Sequence, residues 1–361
     1  MTNILISGSS IAGLTLAHWL RRHGLHPTIV ERAPGLRPGG QAVDVRGAAF
    51  TVAERMGIAD ELRRVRTTWR GMSMLDGDGN EIMRDTEGTY SGGRFDSGDV
   101  ELLKEDLTRI IRDGLDGDVE FVFGDSITSI GSTGEVTFEN GAPRRFDLVI
   151  GADGLHSNVR RLTFGEESRF IHHLGMHLCI FTTDNLLALE DWQIWMRDGD
   201  AGLGLFPVRG NTELKVNLGF GGQPVEYDHR DIDQQKRLVA EHCGDLRWEA
   251  PRLLEAMWKS TDFYFDAMAQ IKMDRWSQGR VALVGDAGYC ASPMSGQGTS
   301  LAMVGAYVLA EELGRSVDGG FDRYEQRMRG FVELNQALAT ENPGGPASDE
   351  SVEKAKNAIT L

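Results

Sequence analysis

Cysteine is nearly absent from this sequence: Cys179, Cys243 and Cys290 are the only three in 361 residues, an odd number with no metal-ligand spacing. No disulfide framework and no metal site are expected, and a reducing, cytoplasmic setting follows. Positive charge is also short. Lys and Arg number 38 against 54 Asp and Glu, a net −16, which argues against nucleic acid or an anionic membrane as a main partner. No apolar run approaches a membrane span, and no targeting segment is read, because Met1–Ser7 leads directly into a glycine loop. Internal repeats, low-complexity tracts and any triad-like arrangement of nucleophile and base are missing too. What remains, 40% hydrophobic and 25% charged, is the make-up of an ordinary globular protein with core enough for one large or two intergrown domains.

The chain opens as a βαβ unit. Residues 3–8 read as a buried strand, Leu14 to about His23 as a helix closed by Gly24, and Thr28–Glu31 as the second strand. Segments 48–66 and 99–115 carry helical spacing, the latter through Leu102, Leu103, Leu107, Ile110 and Ile111. Asp76–Gly79 marks a hairpin between them, and 119–151 is strand-rich with a turn at Asn140-Gly141. From 168 to 275 aromatic strand-like pieces precede a helical stretch over 229–259. Arg280–Asp286 then returns to the buried parallel-strand style. The expected fold is α/β: a Rossmann-like domain discontinuous in sequence (1–167 and 276–340, with some substrate-side strands within 70–100). It carries an inserted antiparallel-sheet substrate domain (168–275) and a C-terminal tail (341–361) with a short helix over 348–359.

Three glycine-marked turns carry chemistry. Gly8-Ser9-Ser10-Ile11-Ala12-Gly13 follows a strand and opens a helix. There Gly8 permits the tight turn, the small Ser10 lets a pyrophosphate approach the backbone, and Gly13 lets helix and strand pack closely. Free amides at the helix start meet phosphate charge. Glu31, at the next strand tip, is placed to accept from a ribose with a free 2′-hydroxyl, as in FAD or NAD, and Arg32 beside it joins the cofactor candidates. Ser10 replaces the usual second glycine, and the same turn would serve any α/β protein. In Gly151-Ala152-Asp153-Gly154, followed by Ser157 and Arg160, Asp153 is a second cofactor candidate or else an aspartate fixing a turn. In Gly285-Asp286-Ala287-Gly288 and Pro293-Met294-Ser295-Gly296-Gln297-Gly298-Thr299 a buried strand delivers Asp286 to its tip, where a carboxylate can hold a ribityl hydroxyl. The loop residues Pro293, Gly296, Gly298 and Thr299 then bring backbone and a helix N-terminus, with about half a positive charge, against a flat ring.

These three motifs in this order, over essentially the whole chain, resemble the class A flavoprotein monooxygenases. That family includes the p-hydroxybenzoate hydroxylase type, the tetracycline-inactivating enzymes and the polyketide hydroxylases. Arg37-Pro-Gly-Gly-Gln-Ala-Val-Asp44-Val-Arg46-Gly47 is similar to the tetracycline-inactivating branch. The resemblance implies a p-hydroxybenzoate hydroxylase-like fold and non-covalent FAD, with NAD(P)H as a transiently bound co-substrate. It also implies insertion of one oxygen atom from O₂ into an aromatic or polyketide-like molecule through a C4a-hydroperoxyflavin. By the same likeness Arg37 approaches the flavin N5 or the nicotinamide, and Asp44 contacts FAD. Lys104 stands where the family usually has an arginine beside the pyrophosphate; it keeps the charge but loses the fork of donors.

For the substrate, Trp192, Met196, Phe206 and Phe220, with Trp195, could line a pocket for a planar molecule or could equally be sheet core; Arg46 and Met294 join them as candidates. Cys290, His172 and His173 read more simply as structural. Flavin halogenation is disfavoured, because Trp192-Gln-Ile-Trp195 lacks the Trp-x-Trp-x-Ile-Pro pattern. Other readings stay open: a xenobiotic-inactivating monooxygenase, a flavin reductase or dehydrogenase that inserts no oxygen, and a non-catalytic FAD-binding redox partner. The expected assembly is a monomer or weak dimer.

Overall fold

Two sheets organise the computed structural model of the chain, which describes residues 2–36, 39–115, 117, 119–342 and 345–361. The first has six strands in the order Ser277–Gln278, Val281–Leu283, Leu148–Gly151, Asn3–Ser7, His26–Glu31, Glu120–Phe123. All neighbours run parallel except at the short Ser277–Gln278 edge. Ile4, Leu5, Ile6, Val149, Ile150, Ala282 and Leu283 are all buried, the near-continuous apolar texture of strands covered on both faces. Register matters most here. Ser7 lies opposite Gly151, and Gly151 opposite Leu283. Three adjacent strands therefore end level, and the three glycine-marked turns open on one edge, at the carboxyl ends where α/β sheets bind ligands.

Helices Ile11–Arg22 and Gly298–Arg315 pack against each other on this sheet. Helix Gly320–Glu341, which has no counterpart among the elements expected from the sequence, packs on the second of them through a face that includes Tyr324, Met328 and Phe331. Segment 48–66 is two helices, Ala48–Met56 and Ala59–Arg64, parted by Gly57 in the left-handed region. The expected helix over 99–115 is a correction. Val100–Leu103 is a strand pairing with Ala42–Val45, and the helix begins only at Lys104 and ends at Asp113. Leu102 and Leu103 satisfy helical spacing, but their burial comes from the ribbon.

The second sheet has seven strands, ordered Tyr264–Ile271, Ile171–Asp184, Glu213–Gly221, Ala201–Val208, Gln193–Asp198, Met72–Leu75, Glu81–Asp85. Within 168–275 every pair is antiparallel, as expected; Gln193–Asp198 also runs parallel to Met72–Leu75, from outside that span, which the long connection between them permits. Helices Ile232–Cys243 and Ala250–Lys259, separated near Gly244, cover one face. Their Val239, Leu253 and Met257 pack on Cys179, Phe181, Leu205, Val216 and Leu218. The tail helix Asp349–Lys356, capped by Ser348, returns Lys356 Nζ to within 2.8 Å of Asp99. Among the described residues no helix is long and apolar enough to cross a membrane.

Candidate active site

At the common edge, Gly8 has φ +108°, and its amide donates to Val30 O at 2.8 Å. A Cβ on Gly8 would run into the Ala152 carbonyl, and one on Gly13 into the Gly8 carbonyl oxygen. The first and second turns are thus locked together, and glycine is the residue that allows it. Ser10 is the N-cap of helix Ile11–Arg22 but makes no side-chain cap hydrogen bond, so the first-turn amides of Ile11, Ala12 and Gly13 keep their capacity for an anion. Across the turn, Glu31 Oε2 accepts from the Ser9 amide (2.9 Å) and hydroxyl (3.0 Å), while Oε1 accepts from the Ala33 amide (2.9 Å). Arg32 is exposed beside it. Arg37 lies outside the described residues.

The second turn is held by its own carboxylate. Asp153 accepts from Ser157 Oγ at 2.5 Å, the Val159 amide at 3.1 Å and Ser7 Oγ at 3.3 Å. Ser157 in turn caps helix Asn158–Phe164 by accepting from the Arg160 amide. Burial raises the Asp153 pKa against these bonds. The carboxylate fixes the turn and the helix start, which is what the structural alternative for Asp153 describes.

On the third turn, Asp286 follows Gly285 (φ +64°) at the strand tip. Burial raises its pKa, opposed by the positive charge of Lys104, so the candidate cation acts on the candidate carboxylate through its charge. The loop continues through the single 3₁₀ turn Pro293–Ser295 and left-handed Gly296 into helix Gly298–Arg315. Pro293 is exposed, Met294 and Gly298 half-buried and Thr299 buried.

Against this loop sits a charged group from the Ala42–Val45 ribbon and its continuation. Arg46 donates to Asp44 Oδ2 at 2.9 Å and to Ser91 O at 3.0 Å, and its guanidinium lies within 4 Å of where a Cβ on Gly296 would stand. Burial pushes the Asp44 carboxyl up to about 6 although the Arg46 charge and hydrogen bond lower it. Burial, and next the charge of Asp44, hold Glu101 well above the usual carboxylate range. Asp44 Oδ1, Arg46 Nε, Glu101 Oε1, Ser300 Oγ and both amide atoms of Gln297 are buried without a hydrogen bond among the described residues. Buried polar atoms are normally paired, and a cluster of orphans around a glycine loop fits a polar ligand.

The second sheet supplies the facing wall, and strand alternation decides which candidates take part. Trp195 and Phe206 turn toward the ribbon, packing with Trp69, Leu103, Val208 and Ala42, their rings 5.1 Å apart edge to face. Trp195 Nε1 donates to Gln193 Oε1 (3.1 Å), Gln193 Nε2 donates to Ser91 Oγ (2.8 Å), and Ser91 O accepts from Arg46. Gln193, Ser91 and Glu101 are site residues that motif reading misses; the period-two alternation of 192–198 carried the signal for Gln193 alone. Trp192, Met196 and Phe220 occupy the opposite face. Met196 and Phe220 are core under the helices, and Trp192 donates to Ser73 Oγ at 2.9 Å with the Arg84 guanidinium over its ring. Those three are sheet core, the other alternative of the sequence reading. Phe220→Ala should therefore cost about 3–5 kcal/mol of stability, read from the urea midpoint. Trp195→Ala, by contrast, should act mainly on the KM for the organic substrate.

Three turns level at one parallel-sheet edge, walled by a second sheet, define a flavin-binding oxidoreductase. A family model described as an FAD binding domain matches residues 1–336, and the chain belongs to that family. An uncharacterised protein of Mycobacterium tuberculosis (strain ATCC 25618 / H37Rv) is 49% identical over 369 residues, spanning 100% of this chain and 99% of its own. A flavin-dependent monooxygenase of Legionella longbeachae serogroup 1 (strain NSW150) is 38% identical over 340 residues, 92% of this chain and 86% of its own. Among solved structures, tetracycline destructase Tet(51) superimposes with a TM-score of 0.88 at 34% identity, covering 100% of this chain and 98% of that one. The protein is an FAD-dependent monooxygenase with the p-hydroxybenzoate hydroxylase-like fold.

Proposed function

We propose that this monooxygenase hydroxylates a planar aromatic or polyketide-like molecule, with NAD(P)H as reductant, on the ground between the Pro293–Gly298 loop and the Trp195/Phe206 wall. The observation that carries the reading is Arg46. It is buried beside the glycine loop, retains an unpaired Nε, and is tied through Ser91 and Gln193 to Trp195. FAD, when bound, supplies the reduced ring that combines with O₂. The chain's own residues do the rest. The Gly8–Gly13 turn and helix start hold the pyrophosphate, Glu31 the ribose and Asp286 the ribityl chain, with Lys104 adding positive charge. Arg32, exposed beside Glu31, is a further cofactor contact, and the family likeness gives Arg37 the flavin N5 or the nicotinamide. Pro293, Gly296, Gly298 and Thr299 would hold the ring and Asp44 would contact the cofactor, with Arg46 on the substrate side. Met294, Trp195 and Phe206 orient a flat substrate and exclude water.

In this reading residues 1–167 and 276–340 form the FAD domain, 168–275 the substrate domain and 341–361 a tail, in a monomeric or weakly dimeric cytoplasmic enzyme. The three buried free cysteines suit a reducing compartment. A second reading, inactivation of a tetracycline-type xenobiotic, is favoured by the whole-chain likeness to Tet(51). One experiment separates them. Phenols, polycyclic phenols and tetracyclines are screened for stimulation of NADPH oxidation, and products are weighed after turnover under ¹⁸O₂. A flat aromatic substrate should gain one labelled oxygen. Gain by tetracyclines alone would select the second reading. Stimulation by non-aromatic compounds only, or peroxide as the sole product, would overturn both.

A further inference from the structure

Away from the flavin turns, three side chains from three distant segments converge. His156 stands in the turn after strand Leu148–Gly151, Asp266 in strand Tyr264–Ile271, and His229 in the loop before helix Ile232–Cys243. One donor atom of each lies within 4.8 Å of the other two. Their surroundings orient them. His156 Nδ1 is 2.9 Å from Glu167 Oε1, and Glu167 Oε2 accepts from the fully buried Arg160 at 2.6 Å. That fixes the ring from behind and sends Nε2 forward, 3.1 and 3.2 Å from the two oxygens of Asp266. The hydroxyls of Tyr227 and Tyr264 each donate to Asp266 at 3.0 Å. The exposed ring of His229 lies with its centroid 4.0 Å from that of His156.

A histidine backed by a carboxylate, and a carboxylate ligand itself held by hydrogen bonds, are the outer-shell arrangement of protein metal sites. An ion pair of His156 with Glu167 and Asp266 explains two of these contacts. It leaves unexplained the second imidazole, His229, drawn to the same point, whereas a cation shared by both rings accounts for it. We propose that His156, His229 and Asp266 bind one divalent transition-metal ion of the zinc type, through two imidazole nitrogens and one carboxylate oxygen, with a fourth position open to solvent beside His229. Imidazole and carboxylate together suit such an ion. Two ligand atoms on a tetrahedral ion with ~2.0–2.1 Å bonds stand about 3.4 Å apart, so binding draws the exposed His229 inward from within 4.8 Å of its partners. On binding, the ion takes the place of the proton that His156 otherwise shares with Asp266, and that proton is released to solvent. The ion staples the 222–231 loop and the second sheet to the turn that leaves the first. Cysteine spacing gives no signal for this set, whose members lie up to 110 residues apart.

The test is zinc titration of chelator-treated, flavin-loaded protein by calorimetry, with Co²⁺ difference spectra as a second readout of the ligand field. One ion per chain is expected. His229→Ala, an exposed change, should weaken zinc binding by more than about 100-fold, and Tyr227→Phe, which removes one hydrogen bond to Asp266, by about 10-fold. No zinc binding at micromolar concentration in the wild type overturns the proposal. So does binding that His229→Ala leaves unchanged, since the ion would then sit elsewhere. FAD content, measured in the same samples, is unaffected by either result, so failure here leaves the monooxygenase reading standing.

Discussion

Gly13→Val is expected to give a colourless protein. The side chain would start from a Cβ overlapping the Gly8 carbonyl oxygen, with Ile6 Cγ2 only 3.3 Å away. Neither obstacle can rotate aside, because one is backbone at a φ of +108° and the other a buried core side chain. Overpacking of this kind costs about 1–3 kcal/mol or more, and relief comes by lifting the helix start away from the strand. The same movement takes the first-turn amides off the pyrophosphate, so FAD affinity should fall by at least about 100-fold, a shift of roughly 2.7 kcal/mol. Flavin absorbance of the purified protein and titration of FAD into apo-protein measure this. Gly330→Ala is the matched control: nothing lies within 4 Å of its Cβ position in helix Gly320–Glu341, so it should be neutral or stabilising by up to about 1 kcal/mol. A yellow Gly13→Val protein of wild-type affinity would show that the flavin does not rest on this turn.

Asp286→Ala should weaken FAD by about 10- to 150-fold, the loss of a charged hydrogen-bond acceptor worth roughly 1.5–3 kcal/mol. The strand behind it, Val281–Leu283, is fully hydrogen-bonded into the sheet without this carboxylate, and far-UV circular dichroism should be unchanged. Its pKa is raised by its surroundings while Lys104 pulls the other way. Lys104→Met should consequently favour the protonated acid and weaken FAD in the same direction, by a smaller factor. Equal affinity in Asp286→Ala and wild type would remove the residue from the cofactor site.

The turns were legible in the sequence because a glycine at a tight turn states a backbone requirement that no partner is needed to read. The level ends of the three strands could be anticipated only as motif order; the register of Ser7, Gly151 and Leu283 is a tertiary fact. Asp153 shows the limit of motif reading, since the same strand–turn–helix pattern serves a cofactor carboxylate and a helix-fixing one. The wall that the second sheet turns toward the ribbon was less legible still. Both faces of the seven-stranded sheet are covered, so Trp192 and Trp195, Leu205 and Phe206 are all large and apolar, and composition does not say which face is which. Arg46, Ser91 and Gln193 meet across separations of 45 and 102 residues, distances over which local pattern carries no information. The strand Val100–Leu103 failed for a related reason: four residues satisfy two periodicities at once, and its partner Ala42–Val45 decided.

The position of strand Val281–Leu283 has a consequence for how the protein is made. It pairs beside Leu148–Gly151 and carries Asp286, yet it leaves the ribosome long after Glu31. At about 5–20 residues per second the delay is on the order of tens of seconds. For about the second half of that delay the parallel sheet stands with one side of Leu148–Gly151 unpaired, an open template for aggregation, while the second-sheet strands from Ile171 to Ile271 are synthesised in between. The proposed flavin seat is incomplete until roughly the first four-fifths of the chain has emerged. Cofactor shortage in a cell would therefore be felt only after translation of the catalytic body, as full-length apo-protein exposed to proteases rather than as stalled or truncated chains.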